Sequence, residues 1–229
     1  DWEIESSAHN GREFPVTIEP ALTKPFCELI HFRRHLPVTT GQPDPRVLIV
    51  APMSGHYATL LRGTVKAMLP EHDVYMTDWV DARHVPFYEG QFDLDTFIDY
   101  IMEFVGFLGP NTHVIAVCQP AVPVLAATAV MAAREHSAQP ASLTLMGGPI
   151  DTRRNPTVVN ELASTRPIEW FEDNVISIVP WPNAGAFRRV YPGFVQLSGF
   201  MTMHLDRHRK AHWDLFDNLV KGDCDSVAQ

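Results

Sequence analysis

The strongest constraint on this chain is an alternation of short apolar runs and helical patterns that begins at Arg46 and continues to Met146. Val47-Leu48-Ile49-Val50, bounded by Pro45 and Pro52, has the unbroken β-branched character of a parallel strand covered on both faces. After Ser54-Gly55, Leu60, Leu61, Thr64, Val65 and Met68 recur at helical spacing until Pro70 stops the pattern. Asp73 to Thr77 predicts the next strand. Asp93 is placed to cap a helix whose apolar face carries Leu94, Phe97, Ile98, Ile101, Met102, Val105 and Leu108, and Gly109-Pro110 supplies its stop. Thr112 to Val117 reads as a third strand, Val122 to Ala133 as an Ala-rich helix, and Ser142 to Met146 as a fourth strand closed by Gly147-Gly148-Pro149. Such repeats imply an α/β fold with a mostly parallel sheet, right-handed crossovers and helices on both faces. Ligands in sheets of this kind sit at the carboxyl ends of the strands.

Upstream, Arg12 to Arg34 carries Val16, Ile18, Phe26, Leu29, Ile30 and Phe32 and predicts an antiparallel pair at the sheet edge. Beyond Thr152 the alternation ends, and Pro156, Pro167, Pro180, Pro182 and Pro192 divide the chain into short helices and turns. Val175 to Val179 is compatible with one more strand. The expected organisation is therefore a core over 1–151 followed by a cap region over 152–229. The balance of 18 basic against 27 acidic residues, −9 in net charge, excludes binding that depends on neutralising phosphates, so no nucleic-acid partner is expected. Cys27, Cys118 and Cys224 are too few and too scattered for a disulfide framework or a zinc knuckle, which suits a reducing cytoplasm. No apolar run approaches the roughly 20 residues of a bilayer span. The chain opens on Asp1 and ends on Gln229 after a polar stretch without a helix cap, so it is expected to be a piece of a longer protein.

The residue best placed for chemistry is Cys118, in Val114-Ile115-Ala116-Val117-Cys118-Gln119-Pro120. It falls where a buried strand ends and an Ala-rich helix begins, the setting of a nucleophile elbow. That turn needs small residues two before and two after the nucleophile. Ala116 is small, and Pro120 suits a first helical turn because its missing N–H would find no partner there anyway. The helix N-terminus directs its dipole and free amides at the sulfur, an arrangement in which thiols become nucleophilic. A small buried core cysteine is the competing reading. The backbone N–H of Gln119 faces a developing oxyanion, and Met53, just past the first strand, is the natural second donor, with Gly55 permitting close approach. Ser54-Gly55 is equally readable as a helix cap, and His56 as a packed side chain.

Several blocks of sequence, in order, resemble the intracellular poly(3-hydroxybutyrate) depolymerases. They are Lys24-Pro25-Phe26-Cys27, His31-Phe32-Arg33-Arg34, Ala51-Pro52-Met53-Ser54-Gly55-His56, Thr77-Asp78-Trp79-Val80-Asp81-Ala82-Arg83, Val117-Cys118-Gln119-Pro120, Met146-Gly147-Gly148-Pro149-Ile150-Asp151 and Tyr191-Pro192-Gly193-Phe194. The resemblance implies an α/β-hydrolase-like fold, a cysteine nucleophile at Cys118, and hydrolysis of the storage polyester at cytoplasmic granules. No cofactor and no metal are expected. The partner the resemblance implies is the polymer or the granule surface, a neutral apolar material that an acidic protein meets without charge conflict. In that family the acid and base follow the cap. They are therefore expected beyond Gln229, together with the remaining C-terminal strands, and this chain alone is expected to turn over little.

Within the chain, Asp151 and His204 are the candidate substitutes for that acid and base. His204, His208 and His212 recur on one helical face, which reads as a solvated face more readily than as a metal site. Asp78 and Asp81 are expected to cap or to pair with Arg83. Trp170, Phe171, Trp181, Phe187, Tyr191, Phe194 and Phe200 are expected mainly to fill the core of the cap, with gripping a polymer chain as the functional alternative. Cys27 reads as core, and Cys224, among acids, as an unfavourable nucleophile. A cysteine acyltransferase of the polyhydroxyalkanoate synthase type and a non-catalytic granule-associated remnant are the competing functions. Ala116 and Pro120 argue against the former, whose elbow keeps its glycines.

Overall fold

The computed structural model describes residues 2–37, 43–53, 57–203 and 205–222. Its centre is a seven-stranded sheet of β1 (Ser6–His9), β2 (Arg12–Lys24), β3 (Cys27–Arg34), β4 (Arg46–Val50), β5 (Asp73–Trp79), β6 (Thr112–Val117) and β7 (Ser142–Met146). The spatial order is β1-β2-β3-β5-β4-β6-β7. β5, β4, β6 and β7 run parallel, and β1, β2 and β3 extend the sheet as antiparallel neighbours. The α/β expectation therefore holds, with a mixed, mostly parallel sheet and the antiparallel pair at its edge. β1 is an addition that the sequence pattern does not announce. β2 runs through Pro20 because its register slips between Pro20 and Leu22, where a bulge removes the need for a ladder donor.

Side chains of β4 alternate between two apolar layers, as a doubly covered strand requires. Leu48 and Val50 join Leu29, Val114 and Ala116 beneath α2 (Leu94–Leu108) and α3 (Ala121–Ala133), with Phe97, Ile101, Phe104, Val124 and Met131 supplied by the helices. Val47 and Ile49 point the other way, into a layer with Phe32, Val74, Met76, Leu61 and Val65 under α1 (Arg62–Met68). α2 starts where expected: Asp93 accepts from the Thr96 amide at 2.8 Å, and Gly109 closes the helix at φ 84°. α1 departs from its pattern, since Ala58–Leu61 forms a 3-10 turn ahead of it and Leu60 is 59% exposed. The tighter turn rotates Ala58 and Leu61 inward in its place.

The chain divides into two compact units, Asp1–Thr152 with Ile178–Val190, and Arg153–Ser177 with Tyr191–Gln229. The second carries α4 (Val158–Thr165), α5 (Ile168–Asn174), α6 (Gly193–Met203) and α7 (Leu205–Lys221). Of the candidate strand Val175 to Val179, only β8 (Ser177–Ile178) forms. It pairs with β9 (Arg189–Val190) in a ribbon separate from the main sheet. Pro180 and Pro182 remove the donors that a longer strand needs. The expectation that the late aromatic residues fill a core fails for four of them. Trp181 is 79%, Phe187 70%, Tyr191 47% and Phe194 74% exposed. Only Trp170 and Phe171 are half-buried, in edge-to-face contact 5.1 Å apart; the side chain of Phe200 lies outside the described residues.

The segment Ile178–Val190 belongs with the first unit for an identifiable reason. Arg188 is buried, and its guanidinium donates to the carbonyls of Ala82 (3.0 Å), Val85 (2.5 Å), Pro86 (3.0 Å) and Gly90 (2.9 Å) in the loop after β5. It also sits over the Phe26 ring, 5.0 Å from the centroid. Burial pulls its pKa below the ordinary arginine value. Backbone bonds from Gly185 to Arg83 (2.9 Å) and from Phe87 to Ala184 (3.2 Å) complete the tie.

Candidate active site

β6 ends at Val117 and α3 begins at Ala121, leaving three residues to turn the chain. Cys118 makes the turn by adopting φ 66°, in the left-handed region that a side chain with a Cβ rarely enters. Such a conformation costs on the order of 1–3 kcal/mol and persists only where its surroundings enforce it. Here they do. The Cys118 amide donates to the Met146 carbonyl of β7 at 2.8 Å, and the Cys118 carbonyl accepts from Ala121 at 3.1 Å. The thiol is free and half-buried.

The space for this turn comes from three small residues. Ala116 and Ala121 are wholly buried. Gly148, just past β7, is the third: a Cβ there would lie 2.1 Å from the Ala121 Cβ and 2.9 Å from the Cys118 carbonyl oxygen. Gly147, at φ 61°, turns the chain into that contact. Pro120 holds the N-cap position of α3 with φ −59°, and Pro123 lies in its first turn. Both are tolerated because the first amides of a helix have no intrahelical acceptor. Sequence reasoning found Ala116 and Pro120 but assigned Gly148 only to strand closure. Its signal, a second glycine after a strand neighbouring the elbow, becomes readable once β6 and β7 are known to pair.

β4 ends at Val50, immediately before the loop that carries Met53. The residue after it is braced from β5: the Ala51 amide donates to the Thr77 hydroxyl at 2.9 Å, and Trp79 Nε1 donates to the Ala51 carbonyl at 2.7 Å. Met53 is half-buried against the α2–α3 layer, and its amide donates to the Gln119 side-chain carbonyl, Oε1, at 3.2 Å. The structure thus brings Met53 and Gln119 together, as expected of two elements at the carboxyl edge of adjacent strands. The Thr77 and Trp79 braces and the Gln119 side-chain contact were not foreseen. Ser54, Gly55 and His56 lie outside the described residues.

Asp151 follows the Gly147-Gly148 turn and is half-buried. His204 lies outside the described residues, as does the side chain of His208, while His212 is exposed on α7. Among the described residues no group of three or more His, Cys, Asp or Glu is placed to hold a metal ion. Asp81 pairs with Arg83 as expected, accepting from Nη2 at 2.6 Å and Nε at 2.9 Å, and these bonds hold its carboxyl below the usual range. Asp78 does not cap. It lies within β5 opposite Glu28, and burial, then the Glu28 charge, push its carboxyl up. β5 runs two residues beyond the expected Thr77 because its pairing with β3 continues to Cys27 and Trp79. Cys27 is wholly buried, and its thiol is pushed well up by burial and the neighbouring Asp78 charge, in keeping with a core cysteine. Cys224 lies outside the described residues.

Fold and site together define an α/β protein that presents a half-buried thiol on a left-handed turn at the carboxyl edge of a parallel sheet. Residues 147–229 match the family model described as PHB de-polymerase C-terminus. No curated protein matches the chain. No described helix is long and apolar enough to cross a membrane.

Proposed function

We propose that the chain carries the nucleophile of a hydrolase acting on poly(3-hydroxybutyrate) at cytoplasmic granules, and that Cys118 is that nucleophile. The observation that carries this reading is the left-handed backbone of Cys118 between β6 and α3, a conformation with an energetic cost and no packing benefit to a plain core cysteine. In the proposed reaction the Cys118 Sγ forms a bond to the ester carbonyl carbon while the amides of Met53 and Gln119 receive the oxyanion. The carbon–oxygen ester bond then breaks, and the hydroxyl end of the leaving chain departs with the proton given up by the thiol. Water cleaves the thioester, restoring the thiol and releasing a carboxylic acid. Asp151 is the in-chain candidate for the acid that orients a histidine base. Residues 1–152 with 178–190 serve as the core of this hydrolase, and the second unit as an accessory region.

The test is a pre-steady-state reaction with p-nitrophenyl butyrate. The expected result is a burst of p-nitrophenol approaching one equivalent, with a butyryl mass increment on the peptide bearing Cys118, both lost in Cys118→Ala. A burst that survives Cys118→Ala, or an acyl group mapped to another residue, overturns the assignment.

A further inference from the structure

Met53 follows the end of β4, where the ladder supplies no acceptor for its amide, and a backbone N–H in that position must find a side chain, water or ligand. The group it finds is the Gln119 carboxamide oxygen, at 3.2 Å. Gln119 is the residue directly after Cys118, so the side chain that takes the Met53 amide hangs from the elbow itself. A carboxamide oxygen is a neutral carbonyl oxygen, chemically the nearest side-chain relative of the carbonyl oxygen of an ester. We propose that Gln119 is a specificity-determining residue whose carboxamide stands in for the substrate carbonyl on the Met53 amide and is displaced when an ester reacts at Cys118. The proposal rests on the reading of Cys118 as nucleophile.

The chemistry of displacement has a direction. An amide oxygen is a better acceptor than an ester oxygen, so a ground-state ester gains little by replacing Gln119. The oxyanion formed when Sγ bonds to the carbonyl carbon is charged, and charge-assisted hydrogen bonds are roughly twice as strong as neutral ones. It therefore displaces the carboxamide where the ester does not. Gln119 thus withholds the Met53 donor from ground-state carbonyl compounds and yields it only to the transition state, at the cost of the hydrogen bond that is broken. The rigid brace of Thr77 and Trp79 on Ala51 keeps the donor in place during the exchange.

The test compares two reactions of Cys118 in the same chain. Acylation by p-nitrophenyl butyrate passes through an oxyanion. In it the sulfur–carbon bond forms, p-nitrophenolate leaves and the thiol proton goes to buffer. Thiolation by methyl methanethiosulfonate forms a sulfur–sulfur bond, expels methanesulfinate and involves no carbonyl. In Gln119→Ala and in Gln119→Met, which keeps the bulk but lacks the oxygen, the ratio of acylation to thiolation rate should rise about two- to tenfold, the range expected for removing one neutral competing hydrogen bond. An unchanged or lowered ratio in both variants overturns the proposal, a fall meaning that Gln119 braces the Met53 loop and does not compete with substrate. Failure of the underlying reading shows separately, as a parent chain thiolated but never acylated at Cys118, and that outcome overturns the inference as well.

Discussion

The first unit buries two apolar layers against its sheet, whereas the second, among its described residues, buries no side chain. The helices of the second unit are held by local devices. α4 opens with a reciprocal capping box between Thr157 and Asn160, and α7 carries Lys210–Asp214 at 2.6 Å and Lys221–Asp217, both at i,i+4 spacing. Each such device contributes a few tenths to about 1 kcal/mol. Helices on that footing are marginal alone. The first unit depends on burial instead: Leu48, Ile49, Val65, Phe104 and Val105 have essentially no exposed surface. The comparison separates a rigid part, where a strained backbone at Cys118 can be maintained, from a part whose elements are specified mostly by their own sequence.

One aromatic ring in each unit puts the comparison at risk directly. Phe104→Ala removes a wholly buried ring from beneath the sheet and should cost about 3–5 kcal/mol, seen as a large fall in the urea midpoint. Phe216→Ala removes a ring that is 58% exposed on α7 and should stay within about 0.5 kcal/mol of the parent. Comparable losses in the two variants would mean that the second unit is packed in solution, and the contrast drawn from burial would be wrong.

The ribbon region Ile178–Val190 tests where the line between the units falls. In sequence it lies within the proline-rich stretch, yet Arg188 anchors it with four bonds to loop carbonyls of the first unit. Arg188→Met keeps much of the volume but orphans those carbonyls, so a loss on the order of 2–4 kcal/mol is expected. It should come with early proteolytic cleavage near Trp181, which is already 79% exposed. A variant as stable and as protease-resistant as the parent would show that the backbone bonds alone hold the ribbon, and that the guanidinium is incidental.

The parallel part of the fold was legible because its determinants are local. β6 and β7 occupy the expected spans, and Asp93 and Gly109 bound α2 as their residue types require. Of the site, the positions of Cys118, Met53 and Gln119 at the carboxyl ends of their strands were legible from the strand-helix alternation, whereas the hydrogen bond from the Met53 amide to the Gln119 side chain was not. What could not be read were features set by partners distant in sequence. Gly148 matters only because β7 lies beside β6, and Arg188 only because its acceptors lie some hundred residues earlier. The late aromatic cluster misled for a related reason. Composition shows that rings are dense, but not whether other elements stand close enough to cover them.

The smallest expected effect also differs in sign between the units. Asp78, inside β5, is desolvated and faces Glu28, so its folded-state pKa is raised above the ordinary carboxyl value of 3.8. A raised pKa gives stability that is fully present below the unfolded-state value and lost as pH rises through the folded-state value. At neutral pH the ionised carboxylate is therefore a residual cost, and Asp78→Asn should raise the urea midpoint at pH 7. The gain should shrink as pH falls through the carboxyl range, because the parent then protonates. Asp214 on α7 is exposed and paired with Lys210, so Asp214→Asn at pH 7 should instead lower stability by a few tenths of a kcal/mol. Midpoints measured at pH 7 and pH 4 for both variants decide the matter. A gain for Asp78→Asn that does not depend on pH would assign it to packing and leave the buried charge without a cost.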